Sequence, residues 1–289
     1  MTFVGASWSY TENGFGPERW QKRYNSTSSL LQSPINIEKA IIVKDSSLGP
    51  LRLSYVPSCN STITNDGRTL QLTIPKHNNT NILSGGPLTS EYQLAMIRFH
   101  WSADDNTGSE HQVEGNGFPL EVQFLHWNKE RYENIGQALT GEEGICILAV
   151  LYQVGNEDHE GMKEITKLLT RIDHKGCFSS EVKTAINLGD FIPDHPNYWT
   201  YQGSLTTPPL TENVTWVVCQ TTMILSPEQM EVFRSVKASN GEVMSCNSRP
   251  LCPSNNRVVR ESTEITANED NSDVINDDEE PSKSDENED

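Results

Sequence analysis

Two short runs bracket a polar loop between Ala95 and Asn128, and their alternation constrains the fold more than any other feature of the chain. Met96 to Trp101 and Leu120 to Trp127 are rich in aromatic and β-branched residues, and the stretch between them carries Gly, Asn and Asp. That pattern predicts two neighbouring β-strands. Side chains alternate faces along a strand, so Ile97, Phe99 and Trp101 share one face while Arg98 and His100 share the other. On the second run Glu121, Gln123 and Leu125 alternate with Val122, Phe124 and His126. If the strands pair with their polar faces aligned, Arg98, His100, Glu121 and Gln123 meet in one small region. Spacing alone does not make that region a site. A histidine between apolar neighbours is more often a hydrogen-bonded core residue than a ligand, and an arginine one pleat away can simply face solvent.

The rest of the chain reads as a β-dominated (α+β) domain. Turn signals recur at Ser47-Leu48-Gly49-Pro50, Asp66-Gly67 and Gly85-Gly86-Pro87, with short apolar runs between them. Helical segments are few. Asp158 to Asp173 places Met162, Ile165, Leu168, Leu169 and Ile172 on one stripe, as in an amphipathic surface helix. Ser226-Pro227-Glu228-Gln229 is a capping box with Pro at the first helical position, predicting a helix through about Val236. The 289 residues suffice for one large core, and no internal repeat is visible. The expected organisation is one domain over 1–260 and an acidic tail over 261–289. That tail holds thirteen acidic residues against one lysine, so it carries -12 of the formal -18. With no aromatic residue and few apolar ones it is expected to be disordered. Its plain role is a solvating extension; contact with a basic surface, or loose calcium binding, is the sharper one. It lacks the spaced Asp/Gly loop of a tight calcium site. No basic patch is large enough to track phosphates, which argues against nucleic acid.

These residues, taken together, resemble the α-class carbonic anhydrases. The family's strand motif His-x-His-Trp is matched by Arg98-Phe99-His100-Trp101, its loop by Gly108-Ser109-Glu110-His111, and its next strand by Glu121-Val122-Gln123-Phe124-Leu125-His126-Trp127-Asn128. The resemblance begins at Trp8-Ser9-Tyr10 and Gly16-Pro17-Glu18-Arg19-Trp20 and passes through Gln32-Ser33-Pro34-Ile35-Asn36-Ile37 and Ser84-Gly85-Gly86-Pro87-Leu88. It runs on through Tyr198 to Pro209, then Val214-Thr215-Trp216, and fades near Arg249-Pro250. It implies a large twisted, mostly antiparallel central sheet with short surface helices.

The family is the standard example of Zn²⁺ held by three imidazoles, with an open position where bound water ionises near pH 7 and attacks carbon dioxide. By resemblance the three ligand positions are Arg98, His100 and Gln123. A guanidinium has no lone pair to offer and repels a cation. An amide oxygen is a poor zinc partner beside imidazole. Zinc binding is worth on the order of 10 kcal/mol, which one histidine does not supply, so the expectation is a lost zinc site and no cofactor. Glu110 and Thr206 match the pair in which a carboxylate orients a hydroxyl toward the zinc-bound water. Glu121 matches the carboxylate behind the third ligand, and Arg68 the proton-shuttling histidine, where a guanidinium cannot exchange a proton near neutral pH. Arg98 is expected to fill the vacated volume and pair with Glu121 or Glu110. His111 and His126 match structural positions.

The ligand positions resemble those of the acatalytic carbonic anhydrase-related proteins. This reading expects a non-enzyme with a vestigial pocket at Arg68, Glu110 and Thr206, acting on an unidentified protein partner. The alternatives are an active zinc enzyme hydrating carbon dioxide reversibly, and an acidic matrix or calcium-associated protein. Met1 to Ser9 lacks the features of a signal peptide, and no run approaches a membrane span, so a cytoplasmic location is expected, or secretion if the chain is a processed form. Many secreted relatives join an N-terminal Cys to one after the Pro-Pro pair, and this chain has Thr27 and Leu210 there. That favours a reducing compartment, with local pairing of Cys246 and Cys252 left open. Sequons at Asn25, Asn60, Asn78 and Asn213 are near chance frequency for so many asparagines.

Overall fold

Tyr92–Trp101 and Leu120–Asn128 form antiparallel neighbours, with Arg98 opposite Gln123 and His100 opposite Glu121. The register expected from the alternation is therefore the one observed, with an irregularity between Leu94 and Met96 on the first strand. The computed structural model describes residues 8–10, 15–24, 29–58, 60–75, 80–170, 178–182, 184–238 and 240–263.

Around this pair the described residues build a thirteen-stranded mixed sheet, mostly antiparallel. On one side Tyr92–Trp101 pairs with Leu70–Thr73, which leads to Ser61–Asn65 and Phe178–Val182. On the other, Leu120–Asn128 pairs with Ile145–Val154, which runs parallel to Val214–Cys219. The sheet then continues through Tyr198–Gly203 and Val259–Ser262 to Ile42–Asp45. The two site strands thus lie mid-sheet, and all nine residues of Leu120–Asn128 are buried.

Each face of the sheet carries its own apolar cluster. Ile97, Phe99, Trp101, Val122, Phe124, Leu148 and Val150 pack on one face with Met162, Ile165, Met230 and Phe233 from the surface helices. Leu125, Trp127, Ile145, Ile147, Leu205, Val214 and Trp216 pack on the other with Ile35 and Ile37. Burying side chains of this size stabilises by roughly 1.5–3 kcal/mol each. Arg98, His100, Glu121 and Gln123 belong to the second face, because the strand period leaves them no other place.

Glu160–Leu169 is the predicted amphipathic helix, with Met162, Ile165, Leu168 and Leu169 buried; Ile172 lies outside the described residues. Pro227–Arg234 begins at the predicted capping box. Gln229 N donates to Ser226 Oγ (3.2 Å) and Ser226 N to Gln229 Oε1 (3.4 Å). Ser226 Oγ also donates to Asp158 Oδ1 (2.6 Å), tying the start of one helix to the approach of the other. Gly67 (φ 81°) and Gly85 (φ 75°) supply the left-handed conformations that two of the turn signals imply. Cys246 and Cys252 are free thiols, Cys146 and Cys219 are buried ones, and Cys59 and Cys177 lie outside the described residues. Glu261 and Ser262 are part of the last strand, two residues past the boundary expected at 260, while the tail from 264 lies outside the described residues.

Removing a capping side chain that satisfies helix N–H groups costs about 1 kcal/mol. Ser226→Ala is expected to lower unfolding free energy by about 1–2 kcal/mol, the larger value reflecting the lost Asp158 bond. Urea denaturation followed by circular dichroism measures it.

Candidate functional site

Glu121 organises the site. Its Oε2 accepts from the backbone N–H groups of Glu110 (2.9 Å) and His111 (2.8 Å), and its Oε1 from His111 Nδ1 and Gln123 Nε2 (2.9 Å each). Full burial pushes the carboxyl up, but the His111 imidazole and these donors outweigh it and hold the pKa at about 2. The loop carrying Gly108-Ser109-Glu110-His111 is thereby pinned onto the Leu120–Asn128 strand. His111 Nε2 continues the chain to Tyr201 Oη (2.7 Å), Tyr201 donates to Ser33 Oγ (3.0 Å), and the His111 ring meets Trp216 edge to face (4.6 Å between centroids).

Gln123 gives one amide nitrogen to two carboxylates, Glu121 Oε1 and Glu110 Oε2 (2.8 Å). Both amide hydrogens are used, and the oxygen would be repelled there, so the amide orientation is fixed. The other oxygen of Glu110 accepts from Arg249 N (3.0 Å). The Glu110–Thr206 hydrogen bond implied by the resemblance is not among the described contacts; Thr206 is buried, next to Thr207 in the chain.

His100 is fully buried. Its Nδ1 lies 2.9 Å from Asn247 O, a carbonyl that can only accept, so Nδ1 carries a hydrogen. Asn247 also receives Trp101 N (2.7 Å) and donates to Phe99 O (2.9 Å), locking the strand on both sides of His100. Nε2 has no partner among the described residues.

Arg98 departs from expectation. It was to pair with Glu121 or Glu110, and instead its Nη1 donates to Thr207 Oγ1 (3.0 Å). No ion pair joins it to either carboxylate among the described residues. The reason is saturation: Glu121 already holds four N–H donors, and Gln123 occupies the side of Glu110 that faces the strand. Arg98 is the member of this cluster that solvent reaches, since His100, Glu110, Glu121, Gln123, Thr206 and Thr207 are all buried.

Arg68 makes no described contact with these residues and sits beside the N-terminal aromatic cluster. Its guanidinium stacks on the Trp8 ring (4.4 Å), donates to Trp8 O (3.5 Å) and pairs with Asp66 (3.5 Å). Trp8, Tyr10 and Trp20 pack edge to face at 5.1–5.5 Å. Sequence reasoning missed Asn247, whose partner lies 147 residues away in the chain, and Thr207, which carries no signal until Arg98 is seen to reach it. It also missed Tyr10 as a site residue. Tyr10 lies inside the Trp8-Ser9-Tyr10 motif, and its hydroxyl is buried with no described partner.

The polar cluster borders an apolar wall. Leu125 follows Gln123 on the same face and opposes Ile147, which in turn lies beside Trp216; Leu205 joins the same packed group.

A sequence model of the eukaryotic-type carbonic anhydrases matches residues 15–263. Mitochondrial carbonic anhydrase 5A of Rattus norvegicus is 37% identical over 255 residues, covering 85% of this chain and 81% of its own length. Carbonic anhydrase 7 of Homo sapiens is 36% identical over 259 residues (88% and 97%), and carbonic anhydrase 1 of Mus musculus 37% over 265 (90% and 99%). The chain belongs to the eukaryotic-type carbonic anhydrase family.

These relatives correct two expectations. The chain was read as a non-enzyme without zinc, whereas relatives this similar are carbonic anhydrases by name, pointing to an enzyme and to zinc as the family's cofactor. The expectation of inactivity rests on three ligand positions, whereas the similarity extends over more than 250 aligned residues. The comparisons do not place the chain in an acatalytic branch, and they lend no support to a protein-binding role. No helix among the described residues is long and apolar enough to cross a membrane.

The side chains at the positions matched to the family's zinc ligands do not reproduce a three-imidazole set. His100 Nε2 is a free lone pair in the neutral ring, but Arg98 is a fixed cation, and Gln123 is committed through its amide nitrogen to two carboxylates. No reaction step is therefore assigned through a metal.

Glu121 makes acid stability specific. A carboxyl near 4.5 in the unfolded chain and about 2 in the fold contributes stability above pH 4.5 that is lost as pH falls toward 2. The contribution is about 3 kcal/mol. Glu121→Gln is expected to destabilise the fold at neutral pH and to flatten the pH dependence of stability between about 4.5 and 2. Denaturant titrations at a series of pH values measure both effects.

Proposed function

We propose that this chain acts on the carbon dioxide–hydrogencarbonate pair in the cleft over Arg98 and His100. The relatives' names supply the chemistry, and the composition of one sheet face supports it. Leu125, Ile147 and Trp216 pack with Leu205 on the sheet face that also carries Arg98 and His100. An apolar wall suits a small molecule without charge or strong dipole, and a guanidinium with hydroxyls suits its charged hydrated form. Pockets that fix a small ligand with few polar groups against apolar walls are the common pattern. That juxtaposition is the observation carrying the reading.

Stopped-flow hydration of carbon dioxide tests it. The purified chain, equilibrated with zinc, is expected to accelerate hydration over buffer. Arg98→His with Gln123→His puts imidazoles at a cross-strand pair beside His100. That double variant is expected to bind about one zinc per chain and to speed hydration at least about tenfold beyond the starting protein. A zinc-equilibrated starting chain that leaves the rate at the buffer value overturns the reading.

A further inference from the structure

The short strand Met223–Leu225 pairs with Tyr152 to Val154 of its parallel neighbour and has no second partner strand among the described residues. Gly155 N donates to Leu225 O (2.9 Å), so Leu225 aims its main-chain groups at the sheet. Successive residues of a strand turn their N–H and C=O to opposite sides. Ile224 therefore turns its pair outward, where no described bond meets them. Its side chain stays 51% exposed. Folded proteins commonly blunt such an edge with lysine, proline, a bulge or a covering segment. Here the outward position is an isoleucine, and the strand holds no lysine or proline.

A cleft of about 630 Å³ opens beside that edge, between residues 222–224 and the loop 156–160. Met223 and Ile224 give it an apolar surface, Glu157, Asp158 and Glu160 give it charge, and no lysine or arginine lines it. Glu160 pairs with Lys163 and Asp158 accepts from Ser226 Oγ (2.6 Å), while Glu157 has no described partner. The loop is held in place by Gln229, which accepts from His159 N (2.8 Å) and donates to His159 O (2.9 Å). An unpaired main-chain donor and acceptor, an exposed isoleucine and an unneutralised carboxylate thus share one fixed groove, which contains none of the residues of the site over Arg98 and His100.

Charge selects the occupant. The chain's own acidic tail, and the same cleft on a second copy, would each bring carboxylates to carboxylates, which is repulsive. We infer that the edge of Met223–Leu225 takes up an extended segment of a partner protein that alternates lysine or arginine with apolar residues, as an added strand. Its main chain bonds Ile224 N and O, its apolar side chains cover Ile224, and its cations meet Glu157 and Glu160. Strand addition of this kind draws affinity from main-chain hydrogen bonds and selectivity from alternate side chains.

Fluorescence anisotropy with the full chain and a short labelled peptide of alternating lysine and valine tests the inference. The same peptide with every backbone amide N-methylated keeps its charge and side chains but cannot pair as a strand, and is expected to bind at least about tenfold more weakly. A glutamate–valine peptide is expected not to bind. Ile224→Pro removes only the outward N–H and is expected to cost about tenfold, and Glu157→Lys up to about fivefold at low salt. The comparison of the two lysine peptides uses the unaltered protein, so it stands even where a variant is destabilised. No saturable binding, equal affinity for the methylated or the acidic peptide, or full affinity in a folded Ile224→Pro variant overturns the inference.

Discussion

A carboxylate with no exposed surface sits at the centre of this fold, and the elements around it are arranged to keep it charged. Moving an ion out of water costs several kcal/mol even after the surroundings relax. Glu121 recovers that cost through four N–H donors, two of them backbone groups of consecutive loop residues. The loop through Glu110 and His111 is thereby held against the central strand. From His111 the bonding passes through Tyr201 to Ser33, whose Oγ also accepts from Ser204 N (3.1 Å). Arg249 adds two bonds to the same segment, at Gln32 Oε1 (2.9 Å) and Ser33 O (2.7 Å). Segments more than 200 residues apart thus meet around one ionised group.

This frame does not depend on what stands at position 98. Glu110 and Glu121 are satisfied by neutral N–H donors and by His111, and the guanidinium opposite Gln123 turns to Thr207 instead. A charge argument would have Arg98 replace a cation between the carboxylates. The structure answers with an amide bridging them, which solves the same problem without a second buried charge. Arg98 is accordingly free to keep one edge toward solvent, and the Asn247 clamp holds His100 in place whichever residue precedes it by two.

The strand alternation made the sheet face and the register legible, because a slip of one residue would turn Leu120, Val122 and Phe124 toward the polar cluster and Glu121 and Gln123 into the opposite core. The helix at Pro227 was equally legible, since its cap is written in adjacent residues. What the sequence did not disclose was every contact made across long separations. Asn247 under His100, Thr207 beside Arg98 and Arg249 on Glu110 are loop residues with no periodicity to place them. The partner assigned to Arg98 was wrong because charge complementarity was weighed without counting how many donors each carboxylate already held. Activity was misjudged at the same level, from three ligand positions set against an otherwise matching family.

One strand carries a gradient of polarity across the site face. Along the site face of Leu120–Asn128 the residues run Glu121, Gln123, Leu125, Trp127, from ionised to amide to apolar, in steps of about 7 Å. The opposing strand adds Arg98 and His100 only at the polar end, and Ile147 and Trp216 continue the apolar end across the next two strands. A period of two therefore places a charged group and a greasy surface within one small-molecule length of each other, without a loop to arrange them. The proposed conversion of an apolar molecule into its charged hydrate would draw on both surfaces, and a single alternating segment provides the transition between them.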